Sequence, residues 1–203
     1  MFHKSNTTKP RRLAISPNSH VSVNLIDIIA VELAPSFIRP EGVFFIQAVG
    51  EWGNNDSTDS FTLYVENNGH YYLLELDARG EQIEQVSFYQ NILTLTPDEQ
   101  EWQEILHDMA AKEFIMDDIA YQRLFGGQAD TADLLEYTEQ VKTLDDAYEC
   151  HNRMMVFERT ITPGDFKERL KVAVEVIESK QIASVSFYLG FALHPSTLTL
   201  LGK

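Results

Sequence analysis

Cys150 and His151 stand side by side, a thiol next to an imidazole, the residue pair that cysteine hydrolases use for nucleophilic attack. The segment around them has strand composition, and successive strand residues point to opposite faces. Adjacency therefore works against the hydrogen bond that would activate the thiol. Glu104 and His107 have the Glu-x-x-His spacing that puts two ligands on one helical face, as di-iron carboxylate bundles do. That chemistry needs a second such motif and further glutamates on companion helices, and the chain offers neither. Asp56 and Asp59, in "NNDSTD", could give oxygens to calcium, but the central glycine and closing glutamate of a calcium loop are missing. Asp117 and Asp118 are adjacent acids; neighbours on a helix diverge by about 100°, so they read as surface carboxylates. No His-x-x-x-His, Gly-x-Gly-x-x-Gly or Walker pattern occurs. The sequence thus assigns no catalytic, cofactor-binding or metal-ligating residue, and no cofactor is expected. Sites assembled from distant strands leave no local signature.

The elements that would position such a site are mostly strands. "GVFFIQAVGEW" (42–52), "FTLYVE" (61–66), "HYYLLELD" (70–77) and "QIEQVSFYQ" (82–90) have the composition and alternation of strands, and Asn68-Gly69 predicts a tight hairpin between the middle two. In "TPDEQEWQEILHDMA", Thr96 as cap, Pro97 at the first position and Glu99 as the partner of a capping box predict a helix. Its stripe of Trp102, Ile105, Leu106 and Met109 is expected to be buried. "EFIMDDIAYQRLF" (113–125) reads as a second helix ending at Gly126-Gly127. Strands return at 134–142, 153–161, 168–179 and 181–194.

"QIEQVSFY" at 82–89 returns as "QIASVSFY" at 181–188, six of eight letters identical. Each copy is the last strand of a run of four, preceded by a similar segment, "LLEL" (73–76) or "AVEV" (173–176). The repeat reads either as a duplicated four-stranded meander or as coincidence within a narrow β-prone alphabet. In both readings Val86, Phe88, Val185 and Phe187 face a core while Ser87 and Ser186 point away from it. No Gly-x-Ser-x-Gly elbow surrounds either serine, so neither is a nucleophile candidate.

The 203 residues, 44% hydrophobic and 23% charged, suit one domain spanning 13–203, with two β-rich halves at about 42–95 and 134–203 joined by a helical segment at 96–126. A chain of this length buries about 70% of its unfolded surface. The net charge of −15 argues against nucleic acid and anionic membranes, whose phosphates would repel it. Residues 1–12 depart from this, with Lys4, Lys9, Arg11 and Arg12 and no acid before Asp27, as a solvated flexible tail or a basic contact arm. No apolar run is long enough for a membrane helix, and the single cysteine fits a reducing compartment, so a cytoplasmic location is expected.

The layout of "FIRPEGVFFIQAVGEW", "FTLYVENNGHYYLLEL", the Trp102 helix, "YQRLFG" and "MMVFERTI" resembles the YjfK-type family of uncharacterised bacterial proteins, over most of residues 25–200. The resemblance carries no activity or site residue. It implies an accessory role in envelope stress, because members tend to be encoded beside phage-shock-type proteins. The fold expected is strand-dominated α+β: two mainly antiparallel sheets with one or two helices between the halves. The function expected is a non-catalytic interaction protein with a basic protein partner, a homo-oligomer being left open. The alternative is a small hydrolase-like enzyme whose acids converge only in the fold.

Overall fold

Alternating residues across two runs of strands build one closed wall. The computed structural model describes residues 12–55, 58–162 and 164–202. The first run is β2 (Val43–Asn55), β3 (Thr58–Asn67), β4 (His70–Arg79) and β5 (Gln82–Leu95), after the short β1 (His20–Val23). The helix α1 (Glu99–Ala110) and the hairpin β6 (Glu113–Met116) and β7 (Ile119–Arg123) follow. The second run is β8 (Leu135–Thr143), β9 (Ala147–Ile161), β10 (Phe166–Ile177) and β11 (Ile182–Leu193), and β12 (Leu198–Leu201) ends the described chain.

Within each run, neighbours in sequence are neighbours in space and antiparallel. The last strands of the two runs pair, β5 with β11, and so do the first, β2 with β8. The ring β2-β3-β4-β5-β11-β10-β9-β8 therefore closes on itself as an eight-stranded antiparallel barrel. This corrects the expectation of two separate sheets. Two open meanders would leave four strand edges with unpaired backbone groups, and joining them edge to edge removes all four. Alternation reveals which residues share a face, but not whether the sheet carrying that face is open or closed.

Four strands lie outside the ring. β2 changes partner along its length, pairing with β1 at 43–45 and with β8 at 48–51, across a register shift between Ile46 and Ala48. β9 likewise pairs with β8 at 147–154 and with β7 at 157–158. β12 extends from β1, and β6 from β7.

Both faces of the wall are buried, by different means. Ion pairs and hydrogen bonds between strands that are not neighbours, Glu75 of β4 to Lys171 of β10 and Tyr64 of β3 to Glu139 of β8, identify the inner face. The outer face carries the main apolar core, including Phe44, Leu74, Phe88, Phe157, Val172, Phe187 and Phe191. Residues 25–37, α1 and the β6–β7 hairpin cover it. Phe37 packs on Phe88 and Phe191, with ring centroids 6.5 and 5.7 Å apart, and Phe114 on Phe157 at 5.3 Å. Buried Glu168 fixes this cover, accepting hydrogen bonds from the Ala34 backbone (2.7 Å), Tyr121 (2.9 Å) and Arg159 (2.5 Å).

The helix forms where its stripe predicts, two residues later than its predicted cap. Asp98, not Thr96, accepts from the Gln100 and Glu101 amides at 2.9 Å, and the Glu101 carboxylate in turn accepts from the Asp98 amide at 3.0 Å. Met109 is fully buried, whereas Trp102, Ile105 and Leu106 are half-buried. The second predicted helix, 113–125, is the β6–β7 hairpin instead. Its two-residue turn is Asp117-Asp118, at φ 51° and 61°. Aspartate tolerates this left-handed backbone, which turns the chain too tightly for a helix to continue. The Asn68-Gly69 hairpin is as predicted, with φ 53° and 80°.

Candidate functional site: the barrel interior and its mouth

Each strand of the ring sends alternate side chains inward. From β10 come Lys171, Ala173 and Glu175; from β11, Ser184, Ser186, Tyr188 and Gly190; from β4, Leu73 and Glu75. The tyrosines of the repeated octapeptide, Tyr89 and Tyr188, both point inside and join Leu73, Met154, Val156 and Ala173 in a small apolar cluster. Val86, Phe88, Val185 and Phe187 face the outer core, as their alternation requires. Ser186 does point away from that core, yet it is as buried as they are, because the other face of the strand lines the interior.

The middle of the barrel is charged. Lys171 is ion-paired with Glu75. Burial alone would lower the Lys171 pKa, but the charge of Glu75 and the hydrogen bond to it hold the pKa well above the ordinary lysine value. Glu139 reaches in from β8 and accepts a 2.5 Å hydrogen bond from Tyr64 through Oε2, while its buried Oε1 has no partner. Burial raises the Glu139 pKa, only partly opposed by the hydroxyls of Thr62 and Tyr64 and the charge of Lys171. Gly50 makes room for this carboxylate: a Cβ there would lie 1.9 Å from Glu139 Oε1. Beyond it Trp52 stacks on Tyr137 at 4.4 Å and donates to Thr62 at 3.0 Å, filling that end of the ring.

The other end opens into a cavity of about 280 Å³. Tyr64, Tyr71, Tyr148 and Tyr188 line it with Val141, Ile177, Ser184 and Ser186, and Glu175 is the one charged side chain among its described lining residues. The Glu175 carboxylate accepts from Ser186 (2.8 Å) and from Tyr188 (2.8 Å), one hydroxyl on each oxygen. Thr94 extends the network, 3.1 Å from Ser186. Burial, reinforced by the charges of Glu139 and Glu175, holds the Tyr64 pKa well above its usual value, so this phenol stays a neutral donor. Half-buried carboxylate, neutral hydroxyls and aromatic walls make a surface that can orient a small molecule without reacting with it.

The residues singled out by sequence lie apart from one another. Cys150 lines the mouth, where burial and then the charges of Glu175 and Glu139 push its thiol up to about 12. A thiol protonated to that extent is a poor nucleophile. His151 points the opposite way, outward, beside Thr138 at 3.1 Å and Glu149 at 3.5 Å. Glu104 and His107 sit on the exposed side of α1, with Glu104 accepting from Gln100 at 2.9 Å. Asp59 pairs with Arg12 at 2.5 Å; Asp56 and the basic tail up to Arg11 lie outside the described residues. Asp117 and Asp118 form the hairpin turn. Among the described residues no three His, Cys, Asp or Glu side chains converge as metal ligands do, and no helix is long and apolar enough to cross a membrane. Sequence reasoning did not single out Tyr64, Glu75, Glu139, Lys171 and Glu175. The available signal was a charge inside an apolar strand, Glu75 in "LLEL" and Glu175 in "AVEV".

The model of the DUF2491 family, proteins of unknown function, matches residues 1–199, so the chain belongs to that family. No curated protein and no solved structure matches it.

Proposed function

We propose that this DUF2491 member is a non-catalytic binding protein that holds a small organic molecule at the mouth of its barrel. The observation that carries this reading is the cavity itself. Its tyrosines, serines and the Glu175 carboxylate converge on one half-open space from strands distant in sequence, at the kind of position where barrels hold ligands. A binder is favoured over the hydrolase alternative because the thiol at the mouth is held protonated and no histidine stands among the described residues lining it. A cytoplasmic setting fits the buried free cysteine. A basic protein partner fits the net charge of −15, and a YjfK-type accessory role in envelope stress rests on the resemblance alone. The test is a thermal-shift screen of a metabolite library, repeated on Ser184→Phe, which fills the cavity. Ligands that raise the melting temperature of the wild type but not of the variant support the reading. No ligand, or equal shifts in both proteins, defeats it, and consumption of a bound compound would restore the enzyme.

A further inference from the structure

Glu175 is the only charged group among the described residues lining the mouth, and no described Lys or Arg pairs with it. The nearby cations are committed elsewhere. Lys171 belongs to Glu75, deeper in the barrel, and Lys180, at the rim, is held by Asp146 at 2.9 Å. Each Glu175 oxygen accepts one hydroxyl bond, which leaves lone pairs on both for a further donor or a cation. A half-buried anion compensated only by neutral hydroxyls carries an unmet electrostatic demand. Around it stand tyrosine rings, whose faces attract cations. One ring at this rim already does so within the protein, with Lys180 Nζ 3.7 Å from the centroid of Tyr148. A divalent metal is a poor match, because a single carboxylate among hydroxyls supplies too few anionic oxygens.

We infer that the molecule held at the mouth is a small organic cation, an ammonium or quaternary ammonium compound, its charged head against Glu175 and its apolar part against the tyrosines, Val141 and Ile177. This rests on the reading of the mouth as a ligand site and names the ligand's chemical class. The volume of about 280 Å³ has room for a molecule of the size of choline or an aliphatic amine. Glu175 acts as the counter-charge and the rings as the walls.

The experiment titrates the full chain by calorimetry with choline and n-butylammonium, and with their neutral counterparts 3,3-dimethylbutan-1-ol and 1-butanol. The cations are expected to bind at least about tenfold more tightly, the effect of a desolvated carboxylate and a cation–π contact together. In Glu175→Gln, whose circular dichroism is compared with wild type, that preference is expected to collapse to near unity. The comparison of charged with neutral probes on the unmodified protein keeps the inference falsifiable should the variant not fold. Equal binding of both kinds of probe overturns the cation while leaving the mouth a ligand site. If neither kind binds, the cation is again overturned, and a screening hit lost in Ser184→Phe would show that the site reading survives without it.

Discussion

Glu139 is a carboxylate whose charged form the fold disfavours, because burial outweighs the donors around it. Its folded pKa lies above its unfolded value, so its contribution to stability is fully present below the unfolded pKa and is lost as pH rises through the folded one. Glu139→Gln removes the titration while keeping an acceptor for Tyr64. The variant should therefore gain melting temperature over wild type at pH 8 and gain less, or nothing, near pH 4. An equal change at both pH values would mean that the Glu139 charge is not what limits stability. Gly50 tests the same atom sterically. Glu139 is 1% exposed and has nowhere to swing, so the Cβ of Gly50→Ala should cost about 1–3 kcal/mol, as overpacking does. Combined with Glu139→Ala, the same substitution should cost clearly less than the sum of the two single changes in urea denaturation; strict additivity would show that the two sites do not touch. These residues were barely legible in sequence. Glu139 sits in "LLEYTEQVK" among other polar residues, and nothing local distinguishes an acid pointing into a barrel from Glu136 or Gln140 pointing out of it. Glu75 and Glu175 were more visible, since a charge inside an apolar strand asks for a partner, but a sequence does not show that the partner of Glu75 lies across a ring and those of Glu175 on the neighbouring strand.

At the scale of elements, period and turn chemistry carried most of the strands, because a half-buried wall imposes alternation directly on the chain. The hairpin misread as a helix shows where that fails. "EFIM" and "IAYQ" are too short for alternation to outweigh a helical pattern, and the turn depends on two aspartates adopting positive φ, a choice tertiary packing makes. Helix α1 was legible in existence and stripe but not in its first residue, since Thr96 and Asp98 both head a capping-box pattern, ending in Glu99 and Glu101 respectively. Asp98→Ala should cost about 1 kcal/mol and Thr96→Ala much less in thermal denaturation, the order following which side chain bonds the amides. Met109→Ala should cost about 2–5 kcal/mol, and Trp102→Ala less than about 3 kcal/mol, because the indole is only half-buried. The reverse order would mean that α1 turns its indole, not Met109, into the core.

For the whole molecule, the unusual feature is the division of labour between the two faces of one wall. The main apolar core lies outside the ring, under the added segments and around the Glu168–Arg159 pair, while Glu75, Lys171 and Glu139 lie inside it beside a smaller apolar cluster. Closure depends on close approaches that side chains would block. At the β5–β11 seam, a Cβ on Gly190 would lie 2.0 Å from the Phe88 carbonyl oxygen. The sequence shows the two meanders but not their joining, because the pairing of β5 with β11 and of β2 with β8 spans about a hundred residues and no local pattern reports contacts at that range. A polar interior is not what an eight-stranded ring needs for stability, since apolar side chains fill such a space equally well. The Glu75–Lys171 pair separates stability from function. Lys171→Met leaves Glu75 half-enclosed without its cation, and losing one partner of a buried pair costs about 3–5 kcal/mol. Replacing both, as Glu75→Leu with Lys171→Met, removes the desolvation cost along with the attraction and should return stability to wild type or above. Chemical denaturation of the three variants measures this directly. If the double variant stays as unstable as Lys171→Met, the pair holds the barrel closed. If it is stable yet has lost the cation preference at the mouth, the charges inside the ring serve the ligand rather than the fold.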